Sequence, residues 1–156
     1  MKSAAFAVSA LALALSPAVA SADPVAPQSD SPCSSNYADA MTLPAGARLP
    51  LVCQDGRWQA LTSPQPPSDR WLSYGPEMTL HGEGRRNPSV KSGEWTATPQ
   101  DPNSRCRAEQ SAVVSPGVVG PPQVAEGQPG QPLEVQLVPR LFDLQLGGNC
   151  LWERNA

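Results

Sequence analysis

The sequence predicts a mainly β fold, a small antiparallel sandwich or barrel-like sheet stapled by disulfides, with an N-terminal disulfide hairpin unit. Three observations predict it. Leu133, Val135 and Leu137 alternate with Glu134 and Gln136, and Phe142, Leu144 and Leu146 alternate with Asp143 and Gln145, the period of a sheet with one buried face. The chain holds 19 prolines and 12 glycines in 156 residues, which demands many turns and leaves little room for long helices. Four cysteines stand in a chain whose first residues read as an export signal.

That signal occupies residues 1–22. Lys2 supplies a positive end, an apolar run extends from Ala4 to Leu15, and Ser16-Pro17 leads into small residues. Two overlapping A-x-A sites compete, Ala18-Val19-Ala20 and Ala20-Ser21-Ala22; cleavage after Ala22 is favoured because the chain turns polar at Asp23-Pro24. The apolar run is shorter than the roughly 18 to 20 residues a spanning helix needs, and no second run follows, so no membrane span is expected after signal removal. The first cysteine, Cys33, lies well beyond the cleavage site, which speaks against lipid anchoring through it. The expected address is secreted or associated with the cell envelope.

Residues 23–32 are polar and proline-containing without periodicity, and read as a flexible leader. Residues 33–62 read as a small stapled unit. It holds Cys33, a Pro44-Ala45-Gly46 turn, an apolar strand from Leu49 to Cys53, an Asp55-Gly56 turn and Arg57-Trp58-Gln59. Asp-Gly between apolar runs is the strongest short-range hairpin signal. The proline run at 63–68 fits neither a helix nor a central strand and reads as a stiff connector to the main unit.

Residues 69–156 read as the β domain, with strands at Met78–His81, Glu94–Thr98, Arg105–Val114, Leu133–Val138, Leu141–Leu146 and Cys150–Arg154. Pro139-Arg140 and Gly147-Gly148-Asn149 separate the last three closely enough to suggest a meander. Residues 115–132 form a long loop rich in glycine and proline, of a length that is commonly functional or disordered. Four cysteines allow three pairings. Cys33 with Cys53 and Cys106 with Cys150 are favoured, since each pair flanks one β unit.

Charge and composition exclude more than they select. A net charge of -3 with no basic stripe is a poor match to a phosphate backbone, so nucleic acid is not an expected partner. With one histidine, His81, and no C-x-x-C pair, neither a metal nor another cofactor is expected. His81-Gly82-Glu83-Gly84 is similar to the loop that supplies oxyanion-hole amides in some esterases, but no G-x-S-x-G nucleophile accompanies it. His81 therefore reads as a strand-end residue before a glycine turn, and no catalytic residue is assigned.

Among four tryptophans, Trp95 lies in a predicted strand and Trp152 shares a strand face with Cys150, so both read as core. Trp71 with Tyr74 is the better candidate for a contact surface, although core packing is the preferred reading even there. Arg70 and the basic turn Arg85-Arg86 complete that candidate surface.

The run from Cys33 to Trp58 resembles a short disulfide unit of exported actinobacterial proteins. The segment from Ser68 to Arg154 carries Arg70-Trp71-Leu72, Gly93-Glu94-Trp95, Cys106 and Gly148-Asn149-Cys150-Leu151-Trp152, and resembles small secreted proteins of mycobacteria and related actinobacteria, a group of no established activity. The resemblance implies an exported location and a β fold, and no functional residues. The expected function is that of a non-enzymatic binding or accessory protein, meeting a wall polymer or another extracytoplasmic protein through the 115–132 loop and the Arg70 to Arg86 region. A secreted inhibitor of a protease or hydrolase is the alternative, and a small hydrolase centred on His81 a third reading.

Overall fold

The computed structural model describes residues 24–156, so the signal-peptide reading of residues 1–22 lies outside the described residues. Ten strands follow one 3₁₀ turn, Ser35–Tyr37. They are β1 (Met41–Thr42), β2 (Leu51–Gln54), β3 (Arg57–Ala60), β4 (Arg70–His81), β5 (Gly93–Pro99), β6 (Arg107–Ser115), β7 (Val118–Val119), β8 (Gln123–Glu126), β9 (Leu133–Leu137) and β10 (Leu141–Arg154). The fold is mainly β and stapled by two disulfides, Cys33–Cys53 and Cys106–Cys150, with Cα atoms 6.0 and 5.9 Å apart.

Strand β10 organises the sheet. One edge pairs with β4 from Asp143 to Glu153, while the other is shared by β6, against Leu141 to Gly147, and β5, against Cys150 to Arg154. The change of partner falls at Gly147-Gly148, where the β4 register also shifts and Gly148 takes a φ of +87°. Gly-Gly-Asn is therefore a bulge within one strand and not the turn expected from the sequence, because two glycines let the backbone twist without losing its partner. The expected meander is absent as well, since β9 pairs with β5 and not with β10.

The sheet runs β3-β2-β1-β4-β10-β5-β9, with β6 branching from β10 and carrying β7 and β8. All ladders are antiparallel except β1 with β4, joined at Met41 and Trp71, so the sheet is mixed. It is also unclosed, because no ladder returns from β9 to β6. The Gln110 side chain on β6 spans that gap, its amide donating to the Gln136 carbonyl (2.9 Å) and accepting from the Val138 N–H (2.9 Å). Gln110 is 6% exposed, so a side chain here does the work of a missing strand residue in a dry setting.

The main core lies between these arms. Trp71, Leu80, Trp95, Leu137, Leu144 and Trp152, each at most 2% exposed, come from four different strands besides β6. In β9 the expected alternation holds, with Val135 and Leu137 buried between exposed Glu134 and Gln136. In β10 a shift in register against β6 between Leu141 and Asp143 buries Leu141 and leaves Phe142 only half-buried, where alternation alone had put Phe142 inside.

The Asp55-Gly56 hairpin forms as expected, with both residues at positive φ (53° and 74°), the combination of a type I′ turn. Trp58 packs with Cys53, Leu51 and Leu72, and its ring stacks on Tyr37 at 6.3 Å. Leu72 belongs to β4, so the hairpin covers the back of that strand. It continues the main sheet through β1 and is not suspended from the proline connector. The end of the leader is pinned too. The Asp30 N–H donates to the Trp58 carbonyl (2.7 Å), the Trp58 N–H to Ser31 (2.9 Å), and Pro32 bridges to Arg57, covering the free edge of β3.

Two further expectations are corrected. The 115–132 segment is not one irregular loop; β7 pairs with the end of β6 around a Pro116-Gly117 turn with Gly117 at φ +75°, and β8 pairs with the start of β6. Strand β4 begins at Arg70, well before Met78. Its first half has no period of two because Trp71 faces the main core and Leu72 the hairpin cluster, and a strand covered on both faces reads as a continuous run.

Candidate functional site

A groove of about 480 Å³ lies where the hairpin unit, the proline connector and the end of β4 meet. Leu43, Leu49 and Pro50 form one wall, Leu61 and Pro64 a second, and Thr79, His81, Asn87 and Ser89 the third. The proline run makes this possible. It cannot join the sheet through its missing N–H groups, so it crosses the gap as a stiff strap, tied at its end by the Ser68 N–H to the Ser89 carbonyl (3.0 Å). The Trp71 ring also borders the groove, and its indole Nε1 is buried with no hydrogen-bond partner among the described residues.

The charge of the groove is one-sided. Arg48 and His81 are its ionisable lining residues among the described residues, and none of those lining it is a carboxylate. Arg48 is exposed and makes no ion pair among the described residues. His81 is half-buried. Its carbonyl accepts from the Ser89 N–H (2.7 Å), which folds the following loop back so that Ser89 shares the groove. Among the described residues no hydrogen bond joins its imidazole to a hydroxyl or a carboxylate. The arrangement suits an acceptor-rich or anionic group held against aliphatic walls.

The residues expected to form a contact surface do not come together. Trp71 (2% exposed) and Tyr74 (6%) are core residues and are withdrawn from that surface. The Tyr74 hydroxyl accepts from the Ala45 N–H (2.9 Å), fixing the turn that leads to the groove. Arg70 pairs with Glu153 (2.9 Å) and donates to the carbonyls of Asn36 (3.1 Å) and Ala38, tying the hairpin unit to β10. Arg85 pairs with Asp143 (2.7 Å) and lies 4.9 Å above the Phe142 ring. Of the five, Arg86 alone is exposed and without an ion pair among the described residues.

Comparison with family models, curated proteins and solved structures gives no match.

Arg48, Leu61 and Asn87 escaped the sequence reading because they are far apart along the chain and carry no motif. Leu49, placed by the sequence at the start of an apolar strand, lies ahead of β2 and is 48% exposed at the groove. Two carboxyls elsewhere are held low. Hydrogen bonds from the Ser104 and Asn149 side chains, then from nearby amides, depress Asp101, and the Ser92 backbone and hydroxyl depress Glu83. Asp101 pins the β5–β6 loop, with the Asn103 and Ser104 N–H groups donating at 2.9 and 2.8 Å and Asn149 at 3.0 Å. Both acids are structural anchors outside the groove. No group of three or more metal-ligating side chains occurs among the described residues.

Proposed function

We propose that this is an exported, non-enzymatic binding or accessory protein, which holds an anionic segment of an envelope polymer or extracytoplasmic partner in the groove beside the proline strap. The observation that carries the reading is the groove's lining, aliphatic walls with Arg48 and His81 and no carboxylate among the described residues. Binding energy there comes from apolar contact, and selection from the unpaired guanidinium. Two disulfides fit an oxidising compartment, and no helix among the described residues is long and apolar enough to cross a membrane. The charged start of the chain, its apolar run and its small-residue site support export. So does the resemblance to small secreted proteins of mycobacteria.

The test is titration of the purified protein with fractionated anionic wall polymer, comparing wild type with Arg48→Ala and Leu61→Asp. A charged hydrogen bond is worth about 1.5–3 kcal/mol, so Arg48→Ala weakens binding roughly ten- to a hundred-fold if the groove is the site. Equal binding by all three proteins would remove the groove from the reading. Consumption of the polymer that ceases in His81→Ala would replace binding by hydrolysis.

A further inference from the structure

The far end of β6 carries a second surface, unrelated to the groove's lining. From Gln110 to Gln123 the chain has no charged residue, and its hairpin tip exposes Val114 (57%), Val118 (50%) and Val119 (41%). Large exposed aliphatic groups are ordinary when scattered, but these three sit within a few residues on one turn, with Val119 directly opposite Val113 across the ladder. The backbone of the tip is already satisfied in part, since β7 pairs with β6 and the Gly120 N–H donates to the Ala112 carbonyl (2.8 Å). A tip of this kind leaves water at a low cost in unpaired N–H and C=O groups.

Two cations belong to the segments packed at its base. The Val113 N–H donates to the Arg140 carbonyl (2.9 Å), and Arg140 is exposed. Gly84 packs on the same spot, where an added Cβ would lie 2.7 Å from the Arg140 carbonyl and 2.9 Å from Val113 Cγ2, so Arg86 is two residues from the valines' base. Neither Arg86 nor Arg140 has an ion-pair partner among the described residues. The acids of this region are occupied, Asp143 by Arg85 (2.7 Å) and Glu83 by the Ser92 N–H (3.0 Å).

We infer that this tip docks on an anionic lipid surface, the valines entering the headgroup boundary while Arg86 and Arg140 meet lipid phosphates. An exposed aliphatic turn with two cations free of ion pairs on the segments at its base complements such a surface in both hydrophobicity and charge. A protein partner is the poorer match, because protein contacts concentrate their energy in buried aromatic anchors and the tip has none.

The experiment uses the protein recovered from its host, with its N-terminus read by mass, sedimented with vesicles of phosphatidylcholine alone or mixed with phosphatidylglycerol. Wild type is expected to sediment with the anionic vesicles and to be released by salt. Val118→Asp is expected to stay in solution, and Arg86→Ala and Arg140→Ala each to lose about fivefold in partition, the equivalent of about 1 kcal/mol per cation. Retained disulfides and an unchanged far-ultraviolet spectrum establish that Val118→Asp is folded. Because all variants share one N-terminus, any contribution from it cancels. Failure of wild type to bind anionic vesicles, or equal binding by Val118→Asp, overturns the inference. Recovery of a Val118-dependent protein partner without vesicle binding overturns it in favour of a protein interface.

Discussion

Replacing Gly148 by alanine tests whether the partner switch in β10 is what allows one strand to serve three neighbours. Two costs add at this position. An L-residue at a φ of +87° loses about 1–2 kcal/mol relative to glycine. The new methyl would also enter the van der Waals shell of the Arg105 carbonyl, 2.9 Å from its carbon and 3.3 Å from Cys150 Sγ. Neither neighbour yields easily, one being backbone and the other half of the Cys106–Cys150 bridge. Overpacking of this kind costs about 1–3 kcal/mol, so the total is about 2–5 kcal/mol, a large share of the roughly 5–15 kcal/mol that holds a domain folded. Gly46 is the control. Its φ is +78° but nothing lies within 4 Å of an added Cβ, so Gly46→Ala bears the conformational cost alone, partly offset by about 0.4–1 kcal/mol from the stiffer unfolded chain. Urea unfolding with the disulfides intact reads the difference. The crowding cost of at least about 1 kcal/mol, at an m value of about 1–3 kcal/mol per molar, should make Gly148→Ala unfold at least about 0.3–1 M earlier than Gly46→Ala. Coincident midpoints would refute the crowding argument and leave Gly148 as an ordinary turn glycine.

Two further outcomes follow from particular side chains. Gln110→Leu removes the amide that bonds the Gln136 carbonyl and the Val138 N–H, and should cost about 1–3 kcal/mol with faster hydrogen exchange at Val138; unchanged exchange there would mean that β9 needs no bridge to β6. Asp101 has its folded value depressed below the ordinary 3.8 by the Ser104 and Asn149 hydrogen bonds, so the stability it adds is present above pH 3.8 and is lost as pH falls through the lower folded value. Wild type should therefore lose stability more steeply than Asp101→Asn below about pH 4, and parallel acid-unfolding curves would show that the carboxylate is not a stabilising anchor.

What the sequence revealed depended on whether the signal was local. The Asp55-Gly56 hairpin and the alternation in β9 are each decided by neighbouring residues, and both disulfides flank the β units that the spacing suggested. Errors arose where tertiary packing changed the meaning of a local signal. Gly147-Gly148-Asn149 has turn chemistry, yet β4 runs past it on one side and holds the chain extended, so the glycines serve a bulge. Arg70 to Glu77 does not read as strand because it lacks alternation, when the lack of alternation at its start reports two covered faces. The proline and glycine content of 115–132 hid two short strands, since β7 and β8 fit between the breakers at Pro116-Gly117, Gly120-Pro121-Pro122 and Pro129-Gly130. The groove had no local signal at all. It exists only because a proline strap, a turn after β1 and the end of β4 converge.

The loop from Gly82 to Ser89 connects the two candidate surfaces physically. Its far end, Asn87 and Ser89, walls the groove, and its near end, Gly84, supports the valine tip through Val113 and Arg140. The loop has little freedom to slide. Gly82 and Gly84 both donate N–H bonds to the start of β10, at 3.0 Å to Phe142 and 2.7 Å to Leu141, and a Cβ on either would collide with that strand. Arg85 clamps the segment between them and the groove by its pair with Asp143 and its seat on Phe142. A protein resting its tip on an anionic surface would thus keep its groove at a fixed position relative to that surface. The groove would meet polymers or partners that lie close to the surface before those in free solution. On this geometry, loss of the Arg85–Asp143 clamp should loosen the relation between the two surfaces while sparing the lining of each. Arg85→Ala combined with Asp143→Asn, which leaves no freed carboxylate beside the tip, is then the variant in which binding at the groove and docking at the tip are retained separately, and any gain from having both on one rigid loop is lost.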